Sequence, residues 1–99
     1  MIRVEISPTS LSVTGHARAA PYGQDIVCAG VSALVQTFSA AAGAFAGDAL
    51  EASEKPGEAR YSWTGEPSAE LALLVDSLCL GLRRMADSYP EYITVTCTR

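Results

Sequence analysis

A chain of 99 residues, 48% of them apolar, has the size and composition of one globular domain with a single core. Its net charge of -4 and the absence of any Lys- or Arg-rich stretch argue against a nucleic-acid-binding surface and suit a basic partner better. No unbroken run of 18 apolar residues is present, which predicts no membrane span, and the N-terminus lacks the apolar stretch of a signal peptide.

The first half of the chain has the pattern of a hairpin followed by a helix. "MIRVEIS" and "SLSVTGHA" alternate apolar and polar residues, as half-buried strands do, and the turn "PTS" joins them. This hairpin places His16 at the far end of its second strand. After the loop "RAAPYG", apolar residues at three- and four-residue spacing predict a helix over residues 24–45, with Gly47 placed to end it.

The second half repeats this plan and adds a strand. A second hairpin turns at Lys55-Pro56-Gly57, and the next helix has Ser68 as its N-cap and stops before Pro90. "EYITVTCTR" then alternates as a last strand. The order ββαββαβ predicts one α+β domain over residues 1–99, with a mostly antiparallel sheet and two helices packed on one face. Leu73 and Leu80 lie off the core stripe of the second helix and indicate a further contact, such as another subunit.

The chain's single histidine and one of its three cysteines occur close together. Cys28 falls in the first turns of the predicted helix, where unpaired N–H groups stabilise a thiolate, and His16 on the neighbouring strand end could accept its proton. Asp25 and Ser32 share a helix stripe with Cys28. The spacing leaves two interpretations open: a cysteine nucleophile with its base, or a packed thiol beside an exposed histidine. Asp25 can also have no role beyond a favourable interaction of its carboxylate with the helix dipole, and the Ser32 hydroxyl can simply donate to a backbone carbonyl of its own helix.

Other kinds of site find little support in the sequence. Cys79 and Cys97 lie on an apolar helix and an alternating strand, which favours burial. No CxxC or HxxxH spacing suggests a metal site, and no glycine-rich phosphate loop is present, so we expect no metal and no cofactor. An odd number of cysteines without paired spacing fits a reducing cytoplasm better than a disulfide scaffold.

The letters around the histidine and the cysteine are more specific than their spacing. "GHA", a short loop and "GQDIVCAGVSAL" resemble the signature of the ribosomal-processing cysteine proteases, the Prp family, which is G-H-A, a variable loop and G-x-D-I-V-C-A-x-V-S. The matching residues are Gly15, His16, Ala17, Gly23, Asp25, Ile26, Val27, Cys28, Ala29, Val31 and Ser32. Gly30 departs from the pattern, because the family usually has a second alanine there. Chain size and the ββαββαβ order also agree with the family.

The resemblance implies a cytoplasmic thiol protease that removes a short N-terminal extension from large-subunit ribosomal protein twenty-seven during ribosome assembly. Cys28 would be the nucleophile and His16 the general base, supported by Gly15, Asp25 and Ser32, with Asp25 as an orienter of His16. The loop between them would be a mobile lid, formed by Arg18, Ala19, Ala20, Pro21, Tyr22 and Gly23. Family members are homodimeric, in agreement with the two outward leucines, and the partner would be a ribosomal protein precursor.

Backbone N–H groups at the helix start are our expected oxyanion hole for acyl transfer. Two alternatives to the protease stay open. One is a non-catalytic ribosome-associated binding or assembly protein on the same scaffold, and the other is a thioesterase-like acyl hydrolase that uses the same pair. The complete set of Gly15, His16, Asp25 and Cys28 favours an enzyme, because a pure binding protein has no need of it.

Overall fold

The computed structural model describes residues 1–21 and 24–98. Its elements follow the predicted order ββαββαβ. They are β1 (Ile2–Ser7), β2 (Ser10–Thr14), α1 (Ile26–Phe45), β3 (Glu51–Lys55), β4 (Glu58–Ser62), α2 (Ala69–Ser88) and β5 (Ile93–Cys97).

The five strands form one sheet in the order β3-β4-β2-β1-β5. β1 pairs with β2, β2 with β4 and β4 with β3 in antiparallel fashion. The remaining pair, β1 with β5, is parallel and aligns Ile2 with Ile93 and Val4 with Val95. The predicted α+β fold with a mostly antiparallel sheet is therefore confirmed, and the last strand joins the sheet beside the first.

One face of this sheet is covered by both helices, because the apolar side chains of its strands all point to that side. The buried strand residues are Ile2, Val4, Ile6, Leu11, Val13, Tyr61 and Ile93. The helices contribute Val27, Val31, Val35, Phe38, Ala42, Leu71, Val75, Leu78 and Leu82. The ring of Phe38 meets that of Tyr61 edge to face, with 5.3 Å between centroids.

Ser68 caps the start of α2, as the sequence predicts. The hydroxyl of Ser68 accepts a hydrogen bond from the Leu71 N–H at 3.1 Å and donates to the carboxylate of Asp48. The expectation that Gly47 ends α1 is wrong. The helix stops at Phe45, and Ala46 leaves it with extended backbone (φ -104°), so no left-handed cap is required.

By length and composition α1 is apolar enough to cross a membrane, with a mean hydropathy of 1.6 over its most apolar window. The sequence predicts no span because Ser, Thr, Gln and Gly interrupt the apolar residues of α1, so that no unbroken apolar run occurs. In this fold one side of α1 is buried among the sheet and α2, as expected for a helix that contributes to a core.

Candidate active site

His16 and Cys28 line one groove of about 880 Å³, which runs between α1 and the turn that joins β3 to β4. Of the residues expected to support the site or to form its lid, five also line it, namely Gly15, Arg18, Ala20, Asp25 and Ser32. The lid residues Ala19 and Pro21 do not line it. Tyr22 and Gly23, the last two residues of the expected lid, lie outside the described residues. The fold thus gathers the motif residues from the end of β2 and from the first two turns of α1.

Cys28 occupies the third position of α1 and is half-buried. Its Sγ accepts a hydrogen bond from the backbone N–H of Ala17 at 3.3 Å. Ala17 is buried and directly follows His16, so this bond fixes the thiol against the segment that carries the histidine. The sulfur therefore has a main-chain donor within reach, and its thiolate form is the one that attacks a carbonyl.

Asp25 is the N-cap of α1 and also holds the loop before it. One carboxylate oxygen accepts from the N–H groups of Val27 and Cys28, both at 3.0 Å, and the other accepts from the Ala19 N–H at 2.9 Å. The Cys28 N–H has the largest effect and holds the pKa of this carboxyl below its usual 3.8. Desolvation, the next largest effect, opposes it, and the Ala19 N–H, the Cys28 thiol and the Val27 N–H lower the pKa further. The orientation of His16 by Asp25 stays a prediction. The structure does show that the Asp25 carboxylate binds both the helix start and the loop before it.

The same hydrogen bonds bear on the expected oxyanion hole. The N–H groups of Val27 and Cys28 are bound to the Asp25 carboxylate, and that of Ala29 is bound to the Asp25 carbonyl at 3.0 Å. These donors are therefore engaged rather than open to a substrate carbonyl. The expectation did not allow for an aspartate that caps the helix with its own side chain.

His16 is exposed at the rim of the groove, just after Gly15. Gly15 has φ +94°, and a side chain there would collide with the carbonyl oxygen of Met1. The backbone nitrogen of Met1 in turn donates to the His16 carbonyl at 2.7 Å. Among the described residues the imidazole makes no hydrogen bond with Sγ of Cys28, so proton transfer between them needs a further approach, as is common in sites without substrate.

Gly57 also belongs to the site, although the sequence indicates only a turn at this position. It lies under the imidazole of His16 and lines the groove. No local signal reveals this contact, because the two residues are brought together by the pairing of β2 with β4.

Ser32 lies at the groove, whereas the other two cysteines do not. Ser32 is exposed one turn after Cys28, on the groove side of α1. Cys79 and Cys97 are half-buried and pack against the core, away from the groove. Within residues 1–21 and 24–98, no three His, Cys, Asp or Glu side chains are grouped as a metal site requires.

Comparison with known proteins then identifies the chain. A sequence model of the cysteine protease Prp matches residues 1–94. The chain belongs to the Prp family of cysteine proteases. It is 33% identical over 95 residues to the ribosomal processing cysteine protease Prp of Mycoplasma pneumoniae, which covers 95% of this chain and 92% of that protein. Identity to the Prp of Mycoplasma genitalium is also 33%, over 98 residues, 96% of this chain and 94% of that protein.

Solved Prp structures share the fold throughout. The S. aureus enzyme with a covalently linked product peptide superposes with a TM-score of 0.93 at 24% identity, over 99% of this chain and 100% of that one. The same S. aureus protease with a substrate peptide gives a TM-score of 0.86 over the same shares. The family resemblance stated from the motif is thus confirmed, and with it the enzyme class, a cysteine-type peptidase.

Proposed function

We propose that this protease acts through the thiolate of Cys28, with His16 as its general base and acid. The observation that carries the proposal is that one groove contains both side chains, while the residue after His16 donates its N–H to the Cys28 sulfur. Cys28 thus lies in the first turn of α1, directly against the segment that carries His16.

The chemistry is acyl transfer in two steps. In the first, Sγ of Cys28 attacks the scissile carbonyl carbon, and the imidazolium of His16 gives its proton to the leaving amine as the C–N bond breaks. The extension then stays on the enzyme as a thioester. In the second step, His16 takes a proton from water, the hydroxide attacks the thioester carbon, and the free carboxylic acid leaves as the thiolate forms again.

Ala17 contributes a main-chain donor to this chemistry. Its N–H is the donor that touches the reacting sulfur, whereas the N–H groups of Val27, Cys28 and Ala29 are bound to Asp25. This donor holds the sulfur in place and stabilises its negative charge until attack begins.

For the substrate, we propose the precursor of large-subunit ribosomal protein twenty-seven, cut behind its N-terminal extension during ribosome assembly. Two relatives at 33% identity are ribosomal processing proteases, and the S. aureus protease binds substrate and product peptides. A groove of about 880 Å³ has room for several residues of an extended peptide. The net charge of -4 also suits a basic ribosomal protein.

The site of action and the assembly state follow as proposals. We place the reaction in the cytoplasm, where thiols stay reduced. We also propose a homodimer that covers the outer face of α2, where Leu73 and Leu80 are 68% and 65% exposed and two turns apart.

A peptide that spans the extension junction tests this function directly. Wild-type protein should release two products with the cut at one bond, and mass spectrometry identifies that bond. A peptide with the junction residues scrambled is the matched control and should stay whole. An uncut junction peptide, together with rapid turnover of simple thioesters, would instead favour the acyl hydrolase. Tight binding of the peptide with neither reaction would favour the assembly protein.

A further inference from the structure

Gly57 lies in the turn between β3 and β4 with φ +74°, and the imidazole of His16 occupies the space beside its Cα. A methyl group added at Gly57 would lie 2.9 Å from Cε1 and 3.2 Å from Cδ2 of that ring, and closer still to Nε2. Carbon atoms at van der Waals contact are about 3.5–4.0 Å apart. The ring can therefore hold its place only while position 57 has no side chain.

A second contact joins the same two segments through their backbones. The N–H of Gly15 donates to the carbonyl of Gly57 at 2.8 Å. The residue before His16 is thus bound to Gly57, while the His16 ring rests on it. Pro56 and Lys55 of the same turn also line the groove.

The imidazole has little else to restrain it. His16 is exposed, and within residues 1–21 and 24–98 its side chain forms no hydrogen bond. Its position relative to Cys28 therefore depends on the backbone before it and on the surface against which the ring packs. That surface is Gly57.

We propose that Gly57 is a positioning residue for His16: its missing side chain sets how close the imidazole lies to the turn, and so where it stands relative to the Cys28 thiol. The inference rests on the proposed role of His16 as general base. A methyl group at position 57 would push the ring by roughly 1 Å, and a displacement of that size at a reacting group costs on the order of 100-fold in rate.

The chain contains a matched control for this substitution. Gly65, in the loop between β4 and α2, has φ +72°, and a methyl group there meets nothing within 4 Å. Gly57→Ala and Gly65→Ala therefore share the backbone cost of an L-residue at positive φ, and only the first meets the imidazole. We expect kcat/KM for the junction peptide to fall about 100-fold in Gly57→Ala and to stay within about twofold of wild type in Gly65→Ala.

The nuclear magnetic resonance signals of the His16 imidazole report the position of the ring separately from the stability of the fold. His16 is the only histidine, so its imidazole signals need no assignment. They should shift in folded Gly57→Ala and stay in place in folded Gly65→Ala. Unchanged signals, or equal kcat/KM in the two variants, would overturn the proposal.

The His16→Ala background shows whether a loss of stability in Gly57→Ala comes from the contact with the imidazole, because it removes that ring. If Gly57→Ala lowers the melting temperature more than Gly65→Ala, that excess should vanish in a His16→Ala background, where the methyl group has room. An excess that persists there would contradict the contact. The proposed function fails in a different way: if His16→Ala cleaves as well as wild type, His16 is not the base, whatever the result at position 57.

Discussion

Gly15→Ala should destabilise the protein through the segment that carries His16. An L-residue at the φ of +94° found here costs about 1–2 kcal/mol. The new methyl group would also collide with the carbonyl oxygen of Met1, and such overpacking costs a further 1–3 kcal/mol or so. The expected loss is therefore about 2–5 kcal/mol, a large part of the roughly 5–15 kcal/mol that stabilises a typical domain.

Gly65→Ala separates these two costs, because Gly65 has a similar φ and open space around it. Urea unfolding followed by circular dichroism should show Gly15→Ala less stable than Gly65→Ala by about 1–3 kcal/mol. For a domain of this size, that corresponds to at least about 4 °C in melting temperature. Equal losses in the two variants would show that Met1 does not restrain position 15, and would refute the steric account of this glycine.

Three further predictions concern the helices. Asp25→Asn keeps an oxygen that can cap α1 but gives up an acceptor for the loop amide, so we expect faster amide exchange in the loop with most of the thermal stability retained. Because its hydrogen bonds lower the folded-state pKa of Asp25, its carboxylate stabilises the fold above the usual value of 3.8 and loses that effect as the pH falls through the lower folded-state pKa. Melting temperatures from about pH 5 to about pH 2 should therefore fall less steeply in Asp25→Asn than in wild type, and parallel curves would contradict this. Gly43→Ala adds a methyl group in open space and should stabilise the protein by about 1 kcal/mol. In Gly30→Ala the added methyl group would lie 2.8 Å from Cε of Met85 in α2, so this variant should gain less stability. Equal gains of the two variants in urea unfolding would argue against that contact. If the proposed dimer forms through α2, replacement of Leu73 and Leu80 by glutamine should convert it to a monomer in analytical ultracentrifugation. A wild-type protein that is already monomeric at micromolar concentration would rule the dimer out.

Most of the fold could be predicted because its signals are local. Alternation of apolar residues marks the strands, the three- and four-residue spacing marks both helices, and Ser68 and Pro90 mark the limits of α2. The pairing of β5 with β1 could not be predicted in this way. It joins residues about 90 positions apart, such as Ile2 and Ile93, and alternation within a strand does not specify its neighbour.

In the candidate site, too, the local features could be predicted and the long-range contacts could not. The motif from Gly15 to Ser32 is contiguous, so the sequence identifies its members together, and the helix start at Asp25 places Cys28 where it was expected. The contact of Gly57 with His16 depends on how two hairpins pair. The use of the helix-start N–H groups by Asp25 depends on one side-chain rotamer. Neither property is contained in spacing or composition.

The most direct test of the Cys28–His16 mechanism is the rate of junction-peptide cleavage by three matched variants. Cys28→Ala should lose at least about 1,000-fold in kcat/KM, because no other thiol within residues 1–21 and 24–98 lines the groove, and His16→Ala should lose about 100- to 10,000-fold. Cys97→Ala removes a thiol that packs against the core outside the groove, and it should cleave at the wild-type rate. Cleavage by Cys28→Ala at the rate of Cys97→Ala would contradict the assignment of Cys28 as the nucleophile.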